Sequence, residues 1–456
     1  MKLPKDPQKA KIARLIGCMA FYLFFCFCYG VVLGADSRGY IEMISAREPV
    51  YPILLWIFRS IFGTGFYLNV VVFVQSLLMG FAVWYSTERL AKRFVKSVPV
   101  FAGMYAVHAG VAVLCQYASE RGSVYSGNIM TEGITISLWL IALTMIIEQV
   151  AEPDLGKLCL LLILLAVMTD TRKQMAVGYP ALFGAMVLGR IGKEAPRMYF
   201  RRLALLFAGI VLSVLLALCG TRLYNLVLRG NFAQNTRDMN LVLTTSLYVA
   251  DPEDEKLIGE EAVRELFRRT MKILDESESN YRYAGAGWSA LELHYEEHFD
   301  VITVDTTGPL FIEYAQELGF AEGMEAEQEA DRMSAVIVKS LFADNLGQYL
   351  RVYCASFLNG IVNTVAKRGG IFDLYALLAC LAEAALIVLC FLKKESREAA
   401  RGGMCVMLAM FANTGVAAAL IFCQGRYMIY NMPFFYMAGL WLLENLIRGR
   451  RNESST

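Results

Sequence analysis

Residues 11–36 read KIARLIGCMAFYLFFCFCYGVVLGAD, and the apolar stretch inside them, from Ile12 to Leu33, decides the architecture. It is roughly twenty residues long, enough to cross the hydrocarbon core of a bilayer as one helix. Lys2, Lys5, Lys9, Lys11 and Arg14 precede or open it, as basic residues do in a secretory signal. A signal core is shorter than this run. The stretch is therefore read as a first membrane span that stays in the chain.

Outward from that span the chain keeps the same character. Of its 456 residues 57% are hydrophobic, 12% aromatic and only 19% charged, a balance outside the range of soluble domains. Further apolar runs fall at 66–85, 98–116, 133–147, 157–169, 175–191, 203–219, 371–392, 404–423 and 427–447, which makes about ten spans in all.

The net charge of +1 hides a segregation. Lys92, Arg93 and Lys96 share one side of the membrane with Arg190, Lys193, Arg197, Arg201 and Arg202 when the spans are counted. Lys393, Lys394, Arg397 and Arg401 fall there too, as do Arg448, Arg450 and Arg451. Basic residues in short loops mark the cytoplasmic side, so both termini are expected there. Arg172 and Lys173 break the pattern, in a short loop on the outer side.

The same count leaves 34–65, 117–132 and 220–370 outside. Between Asp251 and Asn345 stand 23 acidic and 8 basic residues, with helical periodicity at 260–274 and 310–318. The apolar run 348–366 would invert the charge bias of everything after it if it crossed the bilayer. It is expected to lie against the membrane face. No basic patch points to nucleic acid. Cys18, Cys26, Cys28, Cys159, Cys380, Cys390 and Cys405 sit in apolar runs and none lies in 231–344, so the cysteines read as small buried hydrophobes.

The expected fold is an all-α polytopic membrane protein with a mainly helical soluble insertion on the outer face. Its parts are a membrane region 1–219 with a first outer loop 34–65, an extracytoplasmic cap 220–370, and C-terminal membrane helices with a short cytoplasmic tail, 371–456.

Directly after the first span comes Ala35-Asp36-Ser37-Arg38-Gly39-Tyr40-Ile41, followed by Arg47-Glu48-Pro49-Val50-Tyr51-Pro52. A carboxylate at the outer boundary, a short amphipathic helix and a Pro-Val-Tyr-Pro turn towards lipid are more than a connection needs. Two readings of Asp36 stand: a cap for a helix over 37–46, whose orphan amides an Asp satisfies, or a catalytic group. The last outer loop reads Gln424-Gly425-Arg426-Tyr427-Met428-Ile429-Tyr430-Asn431-Met432-Pro433. There Arg426 either anchors the chain at headgroup level or holds a phosphate, for which a planar guanidinium is suited. His294 and His298 share one helix face, but they lack a further ligand and the His-Glu-x-x-His order of a metalloprotease. An exposed helix is the plainer reading. His108, inside the third span, reads as a packed or hydrogen-bonded polar residue.

Taken together, several of these features resemble the GT-C superfamily of integral membrane glycosyltransferases. They are Asp36 after the first span, Tyr51 in the approach to the second, Thr131-Glu132 entering the fourth, Thr171-Arg172 after the fifth, and Arg426-Tyr427 before Pro433. The nearest relatives by this resemblance are protein O-mannosyltransferases and the aminoarabinose or mannosyl transferases that use polyprenyl-phosphate sugars. It covers mainly 12–191 and 404–447, and it departs at one point: Asp36 is followed by Ser37-Arg38, with no Asp-x-Asp.

The resemblance implies an inverting transfer on the extracytoplasmic face of the plasma membrane. The partners are then a polyprenyl-phosphate-linked sugar donor, an acceptor that is lipid, glycan or protein, and the bilayer. Asp36 takes the place of the catalytic base, and Arg426, Arg172 and Lys173 bind the donor phosphate. Arg38, Arg47, Tyr51, Glu132, Gln424 and Tyr427 are candidates for the substrate cavity. No cofactor is assigned, and a divalent metal stays open.

The chemistry fits one carboxylate. A phosphate leaves without a strong general acid, unlike the departing group of an ordinary glycoside. An Asp of ordinary pKa, about 3.9, is ionised at neutral pH and can serve as the base. Two other classes remain. A polysaccharide polymerase or ligase also meets lipid-linked sugars outside, with arginines and a large loop. A transporter or flippase would show charged or broken helices at the midplane, whereas the notable charges here sit at the outer ends.

Overall fold

The computed structural model describes residues 7–118, 124–193, 195–367 and 369–453. Its regular secondary structure is helical throughout, with no strand among the described residues. The chain opens with α1 (Pro7–Tyr29), α2 (Ser37–Ile41), α3 (Val50–Phe62), α4 (Tyr67–Phe94) and α5 (Val98–Ala118). It continues through α6 (Glu132–Ala151), α7 (Leu155–Thr169), α8 (Gly178–Arg190) and α9 (Pro196–Arg229). A cap follows, built of α10 (Asp238–Tyr248), α11 (Glu261–Glu276), α12 (Trp288–Asp300), α13 (Gly308–Glu317) and α14 (Met324–Leu341). The last elements are α15 (Leu346–Val365), α16 (Ile371–Leu392), α17 (Arg397–Leu420), α18 (Gly425–Met428) and α19 (Met432–Glu453).

Seven of these, α1, α4, α5, α6, α9, α16 and α17, are long and apolar enough to cross a membrane. Helices also form at the other three expected positions, as α7, α8 and α19, outside that set. With 15 and 13 residues, α7 and α8 rise only about 20 Å each, short of a hydrocarbon core of about 30 Å. At the other extreme, the 34 residues of α9 rise about 50 Å. That is longer than a hydrocarbon core of about 30 Å needs, and the last turn of the helix meets the first loop, where Arg229 donates to the Met43 carbonyl. Pro196 opens α9, and Gly230, in the left-handed region at φ 71°, closes it by returning its N–H to Leu226.

Lipid gives no hydrophobic reason for helices to associate, so packing and polar contacts hold such a bundle together. Gly80 lets α4 touch α1 directly: a Cβ there would stand 2.6 Å from the Met19 backbone. Trp441 of α19 stacks on Phe94 of α4 at 4.9 Å. At the end away from the cap, Arg89 pairs with Glu148 at 2.5 Å and Arg93 reaches both Glu152 and Glu398.

The cap has its own core, which includes Leu247, Phe267, Tyr295, Phe311 and Met333. α15 joins that core to the bundle. Its Val352 and Ala355 belong to the cap, while Ile361, Val362 and Val365 belong to the membrane core. The second half of this helix is thus buried, where the sequence suggested a helix lying on the membrane face. Gly360 permits this, since a Cβ there would meet Thr414 of α17 at 2.5 Å.

The first loop also departs from expectation. The helix expected over 37–46 stops at Ile41, and Met43 takes a left-handed φ of 55° that no continuing helix allows. The 13-residue α3 then buries Tyr51, Pro52 and Leu55 and exposes Trp56, Ile57 and Ile61.

Candidate active site

The backbone brings the two ends of the chain together at the cap end of the bundle. Beyond α1, Gly30 turns the chain at φ 63°. Val32 then pairs by backbone with Gly127 and Ile129. Ser37 fixes the next step: its hydroxyl accepts the Gly34 N–H at 2.8 Å and donates to the Ile129 carbonyl at 2.7 Å. Asp36 is thereby held at the start of α2. Its side chain makes no capping bond there, so the capping reading does not describe it. Instead Asp36 accepts from Arg47 at 2.7 Å and lies 3.9 Å from Arg426, roughly four hundred residues away in sequence.

Around this pair the side chains interlock. The Arg47 guanidinium lies over the Tyr40 ring at 4.8 Å, and Tyr40 meets Tyr51 edge to face. Tyr51 is fully buried and donates to Gln75 at 2.8 Å; Gln75 donates in turn to the carbonyls of Ser126 and Asn128. Tyr51 therefore supports the site from beneath, joining the first loop to the segment before α6.

On the other side Arg426, at 4.8 Å, and Arg172, at 5.1 Å, both lie over the Tyr427 ring. Such cation–π contacts fix the two guanidinium groups relative to each other. Arg426 also donates to the Tyr427 hydroxyl at 2.6 Å. Arg172 donates to Thr131 at 2.9 Å and Gln174 at 3.0 Å, and its charge meets the buried Glu132 at 2.8 Å. Gln174 donates to the Tyr427 carbonyl and to Asn413, which ties the loop after α7 to the last loop.

Three of the residues expected here stand elsewhere or act differently. Arg38 points outward, largely exposed, and pairs with Glu42 one turn on. Lys173 turns to the cap, where it binds Asp238 and lies 3.8 Å from Glu48. Gln424 contributes its backbone carbonyl, which accepts the Tyr427 N–H at 2.9 Å. The rings of His294 and His298 stack at 4.1 Å, with His294 bound to Tyr248 and to the Glu278 carbonyl. No group of three metal-ligating side chains occurs among the described residues.

Sequence reasoning missed Gln75, Gln174, Asn413 and Asp170. Gln75 had a signal, as an isolated amide inside an apolar run. Asp170 had one too, as a carboxylate directly before Thr171-Arg172.

Arg47, Arg172 and Arg426 thus converge on the two carboxylates Asp36 and Glu132. Burial pushes the Asp36 carboxyl up, but Arg47, Arg426 and Arg172 together outweigh it and hold the group below its ordinary value. Asp170 behaves oppositely. Burial pushes it up to about 7, against a hydrogen bond from Thr221 and with the help of Glu48. An ionised carboxylate beside two further guanidinium groups suits a reaction in which a hydroxyl loses a proton while an anionic group departs. Compared with protein-family models, curated proteins and solved structures, the chain matches none of them.

Proposed function

We propose that the protein is a membrane glycosyltransferase that moves a sugar from a polyprenyl-phosphate donor to an acceptor by an inverting mechanism. The observation that carries this reading is the meeting of Asp36 and Arg426 at the cap end of the bundle, with Arg172 over the same Tyr427 ring. Asp36 takes the acceptor proton; Arg426 and Arg172 hold the phosphate as it leaves. Arg47 and Tyr40 position the base, and Glu132 orients Arg172. Lys173 has no part in phosphate binding here, since two carboxylates already engage it. The site faces the outside of the plasma membrane and both termini face the cytoplasm, which is the orientation the basic loops favour.

The decisive test is single-turnover transfer by protein reconstituted with a polyprenyl-phosphate sugar. Asp36→Asn keeps the shape and removes the base, so turnover should fall by about a hundredfold or more. Wild-type turnover by that variant would remove Asp36 from the mechanism, and retention of anomeric configuration in the product would exclude a single displacement.

A further inference from the structure

At the end of the bundle away from the cap, several charged side chains find protein partners. Arg89 pairs with Glu148, Arg93 with Glu152 and Glu398, and Arg448 with Glu444. Arg190 and Arg397 donate to the Val150 and Phe391 carbonyls. Others, such as Lys92 and Lys96, are exposed. Lys193 and Arg401 fit neither group. Both are half-buried, yet the Lys193 ammonium and the Arg401 guanidinium have no ion-pair or hydrogen-bond partner among the described residues.

The backbone brings these two cations together. Gly192, in the left-handed region at φ 73°, turns the chain just past α8 and so places Lys193. Arg401 stands in the second turn of α17, and α8 packs along α17. The rotation of α17 is fixed by its next two residues: a Cβ at Gly402 would stand 2.7 Å from the Phe94 ring, and one at Gly403 2.9 Å from Leu442. With those faces turned to α4 and α19, Arg401 is left on the side of α8. The charges are near enough to act on each other. Burial, then Arg401 and Arg190, push the Lys193 ammonium below its ordinary value, against the pull of Glu398.

Two like charges that are gathered and partly withdrawn from water repel each other and lose hydration. An anion between them reverses both effects. The position favours a lipid phosphate, because Leu188 and Ile191, at the same end of α8, are exposed apolar side chains. Hydrocarbon therefore lies beside the cations. A soluble anion gains from charge alone, whereas a phospholipid gains from charge and from apolar contact together. Basic recesses between membrane helices hold anionic headgroups in this manner.

We propose that Lys193 and Arg401 form a headgroup site for an anionic phospholipid of the leaflet away from the cap, with the phosphate between the two cations and an acyl chain along Leu188 and Ile191. This site is independent of the reaction at Asp36. A bound lipid braces α8 against α17. Both helices reach the candidate site toward their other ends, where Gln174, just before α8, donates to Asn413 of α17.

The test uses the full-length protein in phosphatidylcholine nanodiscs doped with phosphatidylglycerol that bears a diazirine near the head of one acyl chain. Photolabel should map to Leu188, Ile191 and the first turns of α17, and unlabelled phosphatidylglycerol should displace it. In the double variant Lys193→Gln, Arg401→Gln the mole fraction giving half-maximal labelling should rise about 25-fold, about fivefold for each cation. The double variant Lys92→Gln, Lys96→Gln removes two exposed charges from the same end of the bundle and should label as wild type does. The swap Lys193→Arg, Arg401→Lys keeps both charges and should keep the site, and thermal midpoints confirm that each variant folds. An equal loss in both Gln pairs would overturn the proposal, since surface charge alone would then gather the lipid. So would undiminished labelling without Lys193 and Arg401, or loss of labelling in the folded swap variant. Displacement of the probe by inorganic phosphate would also overturn it, because the ligand would then be a soluble anion.

Discussion

Replacing Arg426 by Ala separates phosphate binding from proton transfer. A charge-assisted hydrogen bond to phosphate is worth about 1.5–3 kcal/mol, so donor affinity should fall by about 10- to 150-fold. The same change acts on the base. At the 3.9 Å separation of Arg426 and Asp36, unit charges attract by about 4 kcal/mol at an effective dielectric of 20 and by about 1 kcal/mol in water. Both side chains keep about a quarter of their surface exposed, which places the loss toward the lower figure. The Asp36 carboxyl then moves back up toward its ordinary value, but Arg47, at 2.7 Å, still holds it. It stays ionised at neutral pH, and the defect should be mainly one of binding. Arg426→Lys keeps the charge without the planar fork and should recover only part of the affinity. Donor affinity for a prenyl phosphate and single-turnover rate at saturating donor measure the two effects separately. Unaltered affinity in Arg426→Ala would refute the assignment, and a rate defect that saturating donor does not relieve would refute the division of labour.

Two further substitutions probe the surroundings. Lys173→Ala removes the link from the loop after α7 to Asp238 of the cap, so limited proteolysis of the segment around 231–240 should accelerate while donor affinity is kept; a loss of affinity like that of Arg426→Ala would return Lys173 to the phosphate. For Asp170 the folded pKa of about 7 lies above the unfolded value of about 3.9. Its stabilising contribution is therefore fully present below the unfolded pKa and lost as the pH rises through the folded one. Asp170→Asn, neutral at every pH, should raise the thermal midpoint above wild type most near pH 8, less near pH 5, and match it only below the unfolded value of about 3.9; a difference independent of pH would show that the carboxyl does not titrate there.

Membrane helices were legible where length and apolarity acted together, as in α1, α6 and α16. α3 was not, because its 13 residues fall well short of a span and nothing in their pattern announces a helix anchored by Tyr51 and Leu55. The site was legible as residue types and partly illegible as directions. Arg172 and Lys173 look equivalent in sequence, but Arg172 is extended at φ −159° and ψ 121°, and adjacent side chains on an extended backbone point to opposite faces. One enters the site and the other meets the cap. Arg38 and Arg47 were likewise both candidates. The early end of α2 and the left-handed turn at Met43 bring Arg47 back onto Asp36 and leave Arg38 outside, a consequence of chain reversal that periodicity does not encode.

A carboxylate held below its ordinary pKa is a weak base, and in the proposed mechanism the donor corrects this. In the free protein Asp36 is stabilised as an anion by Arg47, Arg426 and Arg172. A phosphate bound at Arg426 and Arg172 neutralises two of those three charges and adds negative charge of its own nearby. Like charge and lost cations both raise a carboxyl pKa, so Asp36 becomes more basic only when the donor is in place. The sign follows directly: a higher pKa means that the base form is lost at higher pH as the solution is acidified. The profile of kcat/KM reports the free protein and that of kcat the complex. The acid limb of kcat should therefore lie at higher pH than that of kcat/KM for the donor, and both limbs should disappear in Asp36→Asn. Coincident limbs would mean that the phosphate does not displace the guanidinium charge from Asp36. A kcat limb at lower pH would place the phosphate away from Arg426 and Arg172 altogether.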